Sequence, residues 1–493
     1  MRRLLSLLAL EVRFLLRQAS FWAAFGPLTM CLAVAAYLGA GRVQDEWSAI
    51  RGAQTEEQRI EQMAEAATER FSQPSPLKVD FYRDPTGAYS YMTMFLVRHT
   101  SKPPTPLSAL AIGQSDVQPS PVRLTFGFSA ILTDDYVDIA SPRLLKVGGF
   151  DIAFVLIYLL PLALIAVSVT RLSAEQDSGV LRMITAQPIS LRVVAAAKFG
   201  AVGLVFLAWL ALAGAVCSFL AGILPIATGW GGALASVAAA TALYGIFWIA
   251  VCGVSVALWR GARSAITCAI GVWLAATIII PAGAASIVEL TSDPSSRVQY
   301  IDASRKAVDH FYEDGPAVAA EWAAAHPQLS DRPDLASSTE VARLARDAYF
   351  RETLLPFRER FDRRQLAIDG MSRKLDLASP SLLLRRVLEN AAGTDQQRQI
   401  AFLRDTDEFG QRVRQFFAPL IIESIRNPPP KCAGCTAQLN FREYGKVPSF
   451  QQREAYVASA TSATKANYLL VLYIFVSMAI AAVLSRRRRA DVG

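Results

Sequence analysis

Six long runs of the chain contain no Asp, Glu, Lys or Arg, and they restrict its fold more than any other feature. They are Ser20–Ala40, Ile152–Thr170, Phe199–Leu224, Gly232–Trp259, Ala265–Val288 and Tyr468–Leu484. A helix needs about 20 mostly apolar residues to cross a bilayer, and inside lipid its backbone must satisfy its own hydrogen bonds. The pattern predicts an α-helical polytopic membrane protein with six transmembrane helices and two extracytoplasmic insertions, the second mainly helical. Pro27, Pro161 and Pro281 fall inside spans, where neighbouring helices can cover the freed backbone groups. The runs at 199–224 and 232–259 are long enough to require tilt, or a break near Pro225 and Gly229–Gly232. A mean hydropathy of +0.29 with only 19% charged residues argues against an ordinary soluble enzyme.

The placement of charge orients the spans. The N-terminus, the 171–198 loop, the 260–263 turn and the C-terminal tail together hold fourteen Lys and Arg but four acids, Glu11, Glu175, Asp177 and Asp491. The remaining segments hold 36 cations and 38 acids. Cations concentrate on the cytoplasmic side of membrane proteins, so both termini are expected in the cytoplasm of a multi-pass protein of the bacterial inner membrane. A cleaved signal peptide ending near Leu38–Ala40 is the alternative for the first span. Against it, Met1–Gln18 reads as an amphipathic helix, with Arg2, Arg13 and Arg17 on one face and Leu4, Leu5, Leu8 and Phe14 on others. Such a helix suits the headgroup region.

The expected organisation is therefore an interfacial helix at 1–19, a first span at 20–40 and an extracytoplasmic domain at 41–149. Spans two to five follow at 150–288, with a cytoplasmic coupling segment at 171–198. An extracytoplasmic helical domain at 289–465, a last span at 466–485 and a basic tail at 486–493 complete the chain. In the first insertion, Thr55 and Gln58 have capping-box spacing, Lys78–Tyr82 and Arg123–Phe128 look strand-like, and Ser101–Pro121 reads as loop. In the second, helical periodicity covers Tyr300–Tyr312 and Ser338–Lys374, with a kink or break expected at Pro356. Ser379-Pro380 has the form of an N-cap followed by an N1 proline. Thr394 and Gln397 form a second capping box before an apolar stripe through Phe402, Phe409, Val413, Phe416 and Leu420. With 25 cations against 24 acids, this insertion lacks the basic footprint of a nucleic-acid binder.

Catalytic signatures are missing from the sequence. There is no G-x-x-x-x-G-K-[ST], H-E-x-x-H or G-x-S-x-G, and the three histidines, His99, His310 and His326, are scattered through polar segments. No ionisable acid or base lies within the spans, which disfavours ion-coupled transport. No catalytic or metal-ligating set is assigned, and the chain is not expected to be an enzyme. Cys31, Cys217, Cys252 and Cys268 sit in apolar runs as packing residues. Cys432 and Cys435 form the one C-x-x-C. Outside the cytoplasm that spacing favours a local disulfide; a metal site needs two further ligands, and a catalytic redox pair lacks a βαβ context.

The most informative segment follows the second span: Arg171-Leu-Ser-Ala-Glu175-Gln-Asp-Ser-Gly179-Val-Leu181-Arg182-Met-Ile-Thr-Ala-Gln187-Pro188. It is a short amphipathic stretch between two spans, stopped by Pro188. It suits either a plain connector or a helix that transmits a push from a soluble partner.

Glu175, Gly179, Leu181, Arg182 and Pro188 resemble the ATPase-coupling segment of ABC-2 type exporter permeases. The lead-in Phe150-Asp151-Ile-Ala-Phe154 also resembles that family. Further blocks point to a subset with a large outward domain of unknown function before the last span: Leu377-Ala-Ser379-Pro380-Ser-Leu382, Asn390-Ala-Ala-Gly393-Thr394-Asp395, Phe416-Phe417-Ala-Pro419-Leu420 and Val447-Pro448-Ser-Phe450. Residues 41–149 match less clearly, and Cys432–Cys435 looks like an insertion.

The resemblance implies a permease subunit without cofactors of its own. ATP and Mg would act on two copies of a soluble ABC ATPase, and a second permease, identical or related, would complete the pair in the lipid bilayer. The implied activity is export of a lipidic, peptidic or secondary-metabolite substrate. Mechanotransmission to a periplasmic partner is the alternative, and a receptor or scaffold without an ATPase comes from another class.

Overall fold

A computed structural model describes residues 2–75, 78–113, 115, 120–126, 149–177, 191–225, 229–259, 261–291, 295–451 and 460–490. Among these residues the chain is predominantly helical, with one small sheet. Helix α1 is Arg2–Arg17 and α2 is Ala19–Phe71. After a π-turn at Val155–Leu159, α3 is Leu160–Asp177. Helix α4 is Leu191–Leu220, α5 is Gly231–Leu258, α6 is Ala262–Leu274, and a π-turn at Ala275–Ile279 leads into α7, Ile280–Thr291. Then come α8 (Ser295–Ala325), α9 (Thr339–Leu375), α10 (Pro380–Ala392), α11 (Gln396–Arg426) and α12 (Ala460–Ala490).

Five helical stretches among the described residues are long and apolar enough to cross a membrane: Ala19–Phe71, Ile152–Ser173, Val193–Leu220, Gly231–Leu258 and Ala262–Thr291. The uncharged run Tyr468–Leu484 lies in α12, where the described apolar stretch is Ala466–Ile480. This layout is compatible with a multi-pass membrane protein. Helix α5 is the hub of the bundle. Its Tyr244, Trp248 and Cys252 are fully enclosed, and it packs against α3, α10 and α12. Its glycines permit close approach: a Cβ on Gly245 would strike the ring of Phe206, and one on Gly253 the ring of Phe199.

The first span does not stop where its apolar run stops. Helix α2 continues unbroken for 53 residues, about 80 Å at 1.5 Å per residue. The residues beyond Gly41 are mostly Arg, Gln, Glu, Ala and Met, all strong helix formers, with no proline. The expected capping box at Thr55 is therefore not a helix start: Thr55 is mid-helix, and its hydroxyl donates to Arg51 O at 2.9 Å. Lys78–Tyr82 is likewise not a strand; a short 3₁₀ turn covers Phe81–Arg83. The strands are β1 (Val97–Thr100) and β2 (Val122–Thr125), antiparallel with Val97 opposite Thr125 and Thr100 opposite Val122.

Helix α9 runs through Pro356 without ending, packed along α8 by the pairs Phe311–Phe350 and His310–Tyr349. The break falls instead in α8, at Asp314, two residues before Pro316. Ser379 caps α10, accepting from Ser381 N at 3.2 Å, with Pro380 at the first position. The second capping box is displaced by one residue: Asp395, not Thr394, caps α11, accepting from Gln397 N and Arg398 N. A charged carboxylate oxygen is a stronger acceptor for these amides than a hydroxyl.

A second core joins the far half of α2, β1, β2 and α11 through Tyr91, Phe126, Phe402, Phe409, Phe417 and Phe441. We refer to this part as the head. Arg98 on β1, 4% exposed, binds it to α2. Its guanidinium meets Glu61 at 2.7 Å and Glu57 at 3.7 Å, and its Nε donates to Pro448 O. Removing one partner of a buried pair leaves the others uncompensated. Arg98→Ala is expected to lower stability by about 1–3 kcal/mol, since the glutamates are partly solvated. An unchanged thermal midpoint in detergent would show that α2 and the sheet are held by packing alone.

Candidate functional site

Of the coupling residues expected from sequence, Glu175 lies near the end of α3. Gly179, Leu181, Arg182 and Pro188 lie outside the described residues. The structure does describe what flanks them. Helix α1 packs along α4 and also touches α2, with Leu15 buried between the helices. The one acid of α1, Glu11, is 8% exposed and accepts from Arg171 of α3 through both Nε, at 2.8 Å, and a terminal guanidinium nitrogen. The same guanidinium stacks over the ring of Phe14 at 5.6 Å. On α4, the buried Lys198 donates from Nζ to Arg171 O at 3.3 Å.

The segment from 178 to 190 therefore leaves one helix and enters another at ends that α1 ties together. Sequence patterning places α1 on an interface but cannot find its partner, because Glu11 and Arg171 are 160 residues apart.

At the opposite ends of the spans, α10 seats the head on the bundle. Its apolar face, Leu383, Leu384, Val387, Leu388 and Ala391, joins the core of the spans. Each π-turn of the bundle exposes a carbonyl that a side chain takes up. Tyr244 donates to Ile157 O at 2.9 Å, while Ser381, at 2.8 Å, and Ser379 both donate to Ala276 O. Asp151 caps the second span, accepting from Phe154 N at 2.6 Å and from Ile112 N, 39 residues earlier in the chain, at 2.8 Å. Burial raises the Asp151 pKa, opposed by those two amide bonds.

On α10, Arg385 donates to the Tyr158 hydroxyl at 3.0 Å, and burial pushes Glu389 up to about 7 against the pull of Arg385 and Arg386. Two carboxylates whose pKa burial raises thus sit at the junction of head and bundle. Only Asp151 stands out in sequence, as the residue bordering a span; Glu389 is one acid on an ordinary amphipathic helix.

Cys432 and Cys435 form a disulfide with Cα atoms 5.2 Å apart. Their loop lies against residues 75–79: Ser75 N donates to Gly434 O, and Val79 N to Thr436 Oγ1. Gly434 has a φ of +81°, a conformation that favours glycine. The bridge closes a local loop, and the hydrogen bonds of that loop join two segments more than 350 residues apart in sequence.

The family described as a domain of unknown function (DUF3526) matches residues 297–427, which span most of α8, all of α9 and α10, and α11 to its end. No curated protein matches the chain. The matched region contains the cap and apolar face of α10 that dock the head on the spans.

Two outcomes test these ends. With Leu8→Cys and Gly200→Cys in place, oxidation should cross-link α1 to α4, because Leu8 Cδ1 lies 2.9 Å from a Cβ built on Gly200. Adding Glu11→Gln should lower that yield several-fold; an equal yield would remove the ion pair from any role in docking.

Glu389 has a folded-state pKa of about 7 against an ordinary 4.5. Its raised value means that its contribution is full below about pH 4.5 and is lost as pH rises through about 7. Glu389→Gln should therefore match the wild type near pH 5 and exceed its stability by roughly 1–3 kcal/mol at pH 8. A difference that stays constant across this range would contradict the assignment.

Proposed function

We propose that this chain is the transmembrane permease subunit of an ABC transporter of the ABC-2 type. It couples ATP hydrolysis on a separate soluble subunit to export of a lipidic, peptidic or secondary-metabolite substrate across the bacterial inner membrane. One observation carries this reading: α1 is bound through Glu11–Arg171 to the end of α3 and packs on the start of α4. These helices bracket the segment whose Glu175, Gly179 and Pro188 resemble the docking element of such permeases. A push delivered there by an ATPase passes directly into two spans and α1. Two permeases and two ATPases form the working unit, with both termini in the cytoplasm and the head outside.

The 53-residue continuity of α2 favours a second reading, mechanotransmission, in which the head acts on a periplasmic partner. A helix that crosses the bilayer and reaches the second core without a hinge carries rigid motion outward, with no need for a cargo cavity.

Co-expression with its ATPase in nanodiscs tests the first reading. The complex should co-purify, and Glu175→Ala with Gly179→Pro should abolish coupled ATPase stimulation while the permease still folds. Unchanged assembly and stimulation would sink the coupling role. To separate the readings, Gln54→Pro breaks α2 beyond the span at an exposed position, where proline costs about 3 kcal/mol. Under mechanotransmission it should abolish the periplasmic output and leave ATPase stimulation intact. Under export it should leave transport near wild type.

A further inference from the structure

Where α2 leaves the bundle, it meets residues 102–113, 115 and 120 and the turn between α10 and α11. Together they enclose a cavity of about 70 Å³, lined by Glu46, Lys102, Ser108, Ser115, Thr394 and Arg398. The backbone is drawn tightly around it. Gly393, with φ +68°, has no room for a Cβ beside Thr105 and the Arg398 guanidinium, and Gly113, with φ +57°, has none beside Thr394.

Most polar side chains around the cavity are paired with one another or with the backbone. Arg42 donates to Ser115 Oγ and Ser108 O, each at 2.7 Å. Lys102 Nζ donates to Gln399 Oε1 at 2.7 Å. Arg398 donates to Gly393 O at 3.0 Å and Pro103 O at 2.6 Å.

Two hydroxyls break this pattern. Ser108 Oγ and Thr394 Oγ1 belong to residues 3% and 5% exposed, line the cavity, and have no hydrogen-bond partner among the described residues. Buried hydroxyls are otherwise nearly always paired, and each exception calls for an explanation. Their environment is cationic, with Arg42, Lys102 and Arg398 set against Glu46 and Asp395. Burial and the nearby Arg398 lower the Lys102 pKa to about 8, against the opposing pull of Glu46 and Asp395. An anion in the cavity would relieve that repulsion and accept from both hydroxyls. The volume suits one tetrahedral ion or a few waters, and guanidinium groups match such oxygens well.

We infer that this cavity binds a phosphate-type oxyanion, supplied either as the free ion or as the phosphate of a lipid headgroup. The second source is within reach because Gly39, near the end of the first apolar run, packs directly on the Ala109 backbone. The inference is independent of the transport reading, since it needs neither an ATPase nor a cargo.

The full chain, purified in a maltoside detergent without phosphate, provides the test. In one arm, sodium phosphate is titrated against sodium chloride at matched ionic strength and the thermal midpoint is followed. In the other, phosphatidylglycerol is added to the micelles and retained lipid is counted by native mass spectrometry. Saturable stabilisation by phosphate identifies the free ion, and selective retention of phosphatidylglycerol identifies the headgroup; either outcome supports the site.

Thr394→Val removes a hydroxyl that bonds to none of the described residues, so its ligand-free midpoint should equal the wild type. Its affinity for the ligand should fall roughly fivefold, as for one lost hydrogen bond. Lys102→Gln should weaken binding by roughly tenfold or more, as for a charge-assisted contact. Binding of neither phosphate nor phosphatidylglycerol would overturn the inference, as would binding that both variants leave unchanged.

Discussion

A carbonyl released from its own ladder inside an apolar helix bundle has no water to satisfy it, and the architecture of this chain turns on that constraint. Two spans contain π-turns, Val155–Leu159 and Ala275–Ile279, and a π-turn disturbs the regular ladder. Tyr244 reaches Ile157 O from a neighbouring span. Ala276 O is reached from the head, by Ser379 and Ser381 at the start of α10. The second case makes an irregular turn in an apolar helix the docking point for α10. Helix α10 then lays its apolar face over α5 and α12, and Asp151 closes the junction by capping a span while accepting from Ile112.

How much of this is legible in the sequence depends on the range of the interaction. The uncharged runs are local, and the first five coincide with helices long enough to cross a membrane. The Ser379-Pro380 cap is also local, and it stands where its spacing places it. Thr55 misleads because its capping-box spacing occurs inside a stretch of strong helix formers, where nothing ends the helix for the motif to restart. Thr394 misleads by one position because the neighbouring Asp395 is the better acceptor.

The functional ends are less legible. Lys102 sits in a Pro- and Ser-rich stretch that reads as solvated loop, yet it is buried against Gln399, 297 residues away. Arg98 carries no signal in the sequence, and only the placement of β1 beside α2 brings it to Glu61. No periodicity reports such contacts, since each partner alone has an unremarkable setting. Around residues 171–198 the segment itself stands out by its residues, whereas the Glu11–Arg171 bond beside it does not. The two ends are thus complementary: sequence marks the segment, and geometry supplies its support.

The uninterrupted α2 also sets a scale for motion. From Arg42 to Phe71 it extends about 45 Å beyond its apolar run. A pivot of about 5° at the bundle displaces the far tip by about 4 Å, a large shift for a packed interface. Arg98, Tyr444 and the α11 aromatics meet that outer arm or its neighbours. The head thus sits at the long end of a lever whose fulcrum is the close contact between Gly39 and Ala109, so tilts too small to repack the spans are enlarged where the aromatic core must absorb them.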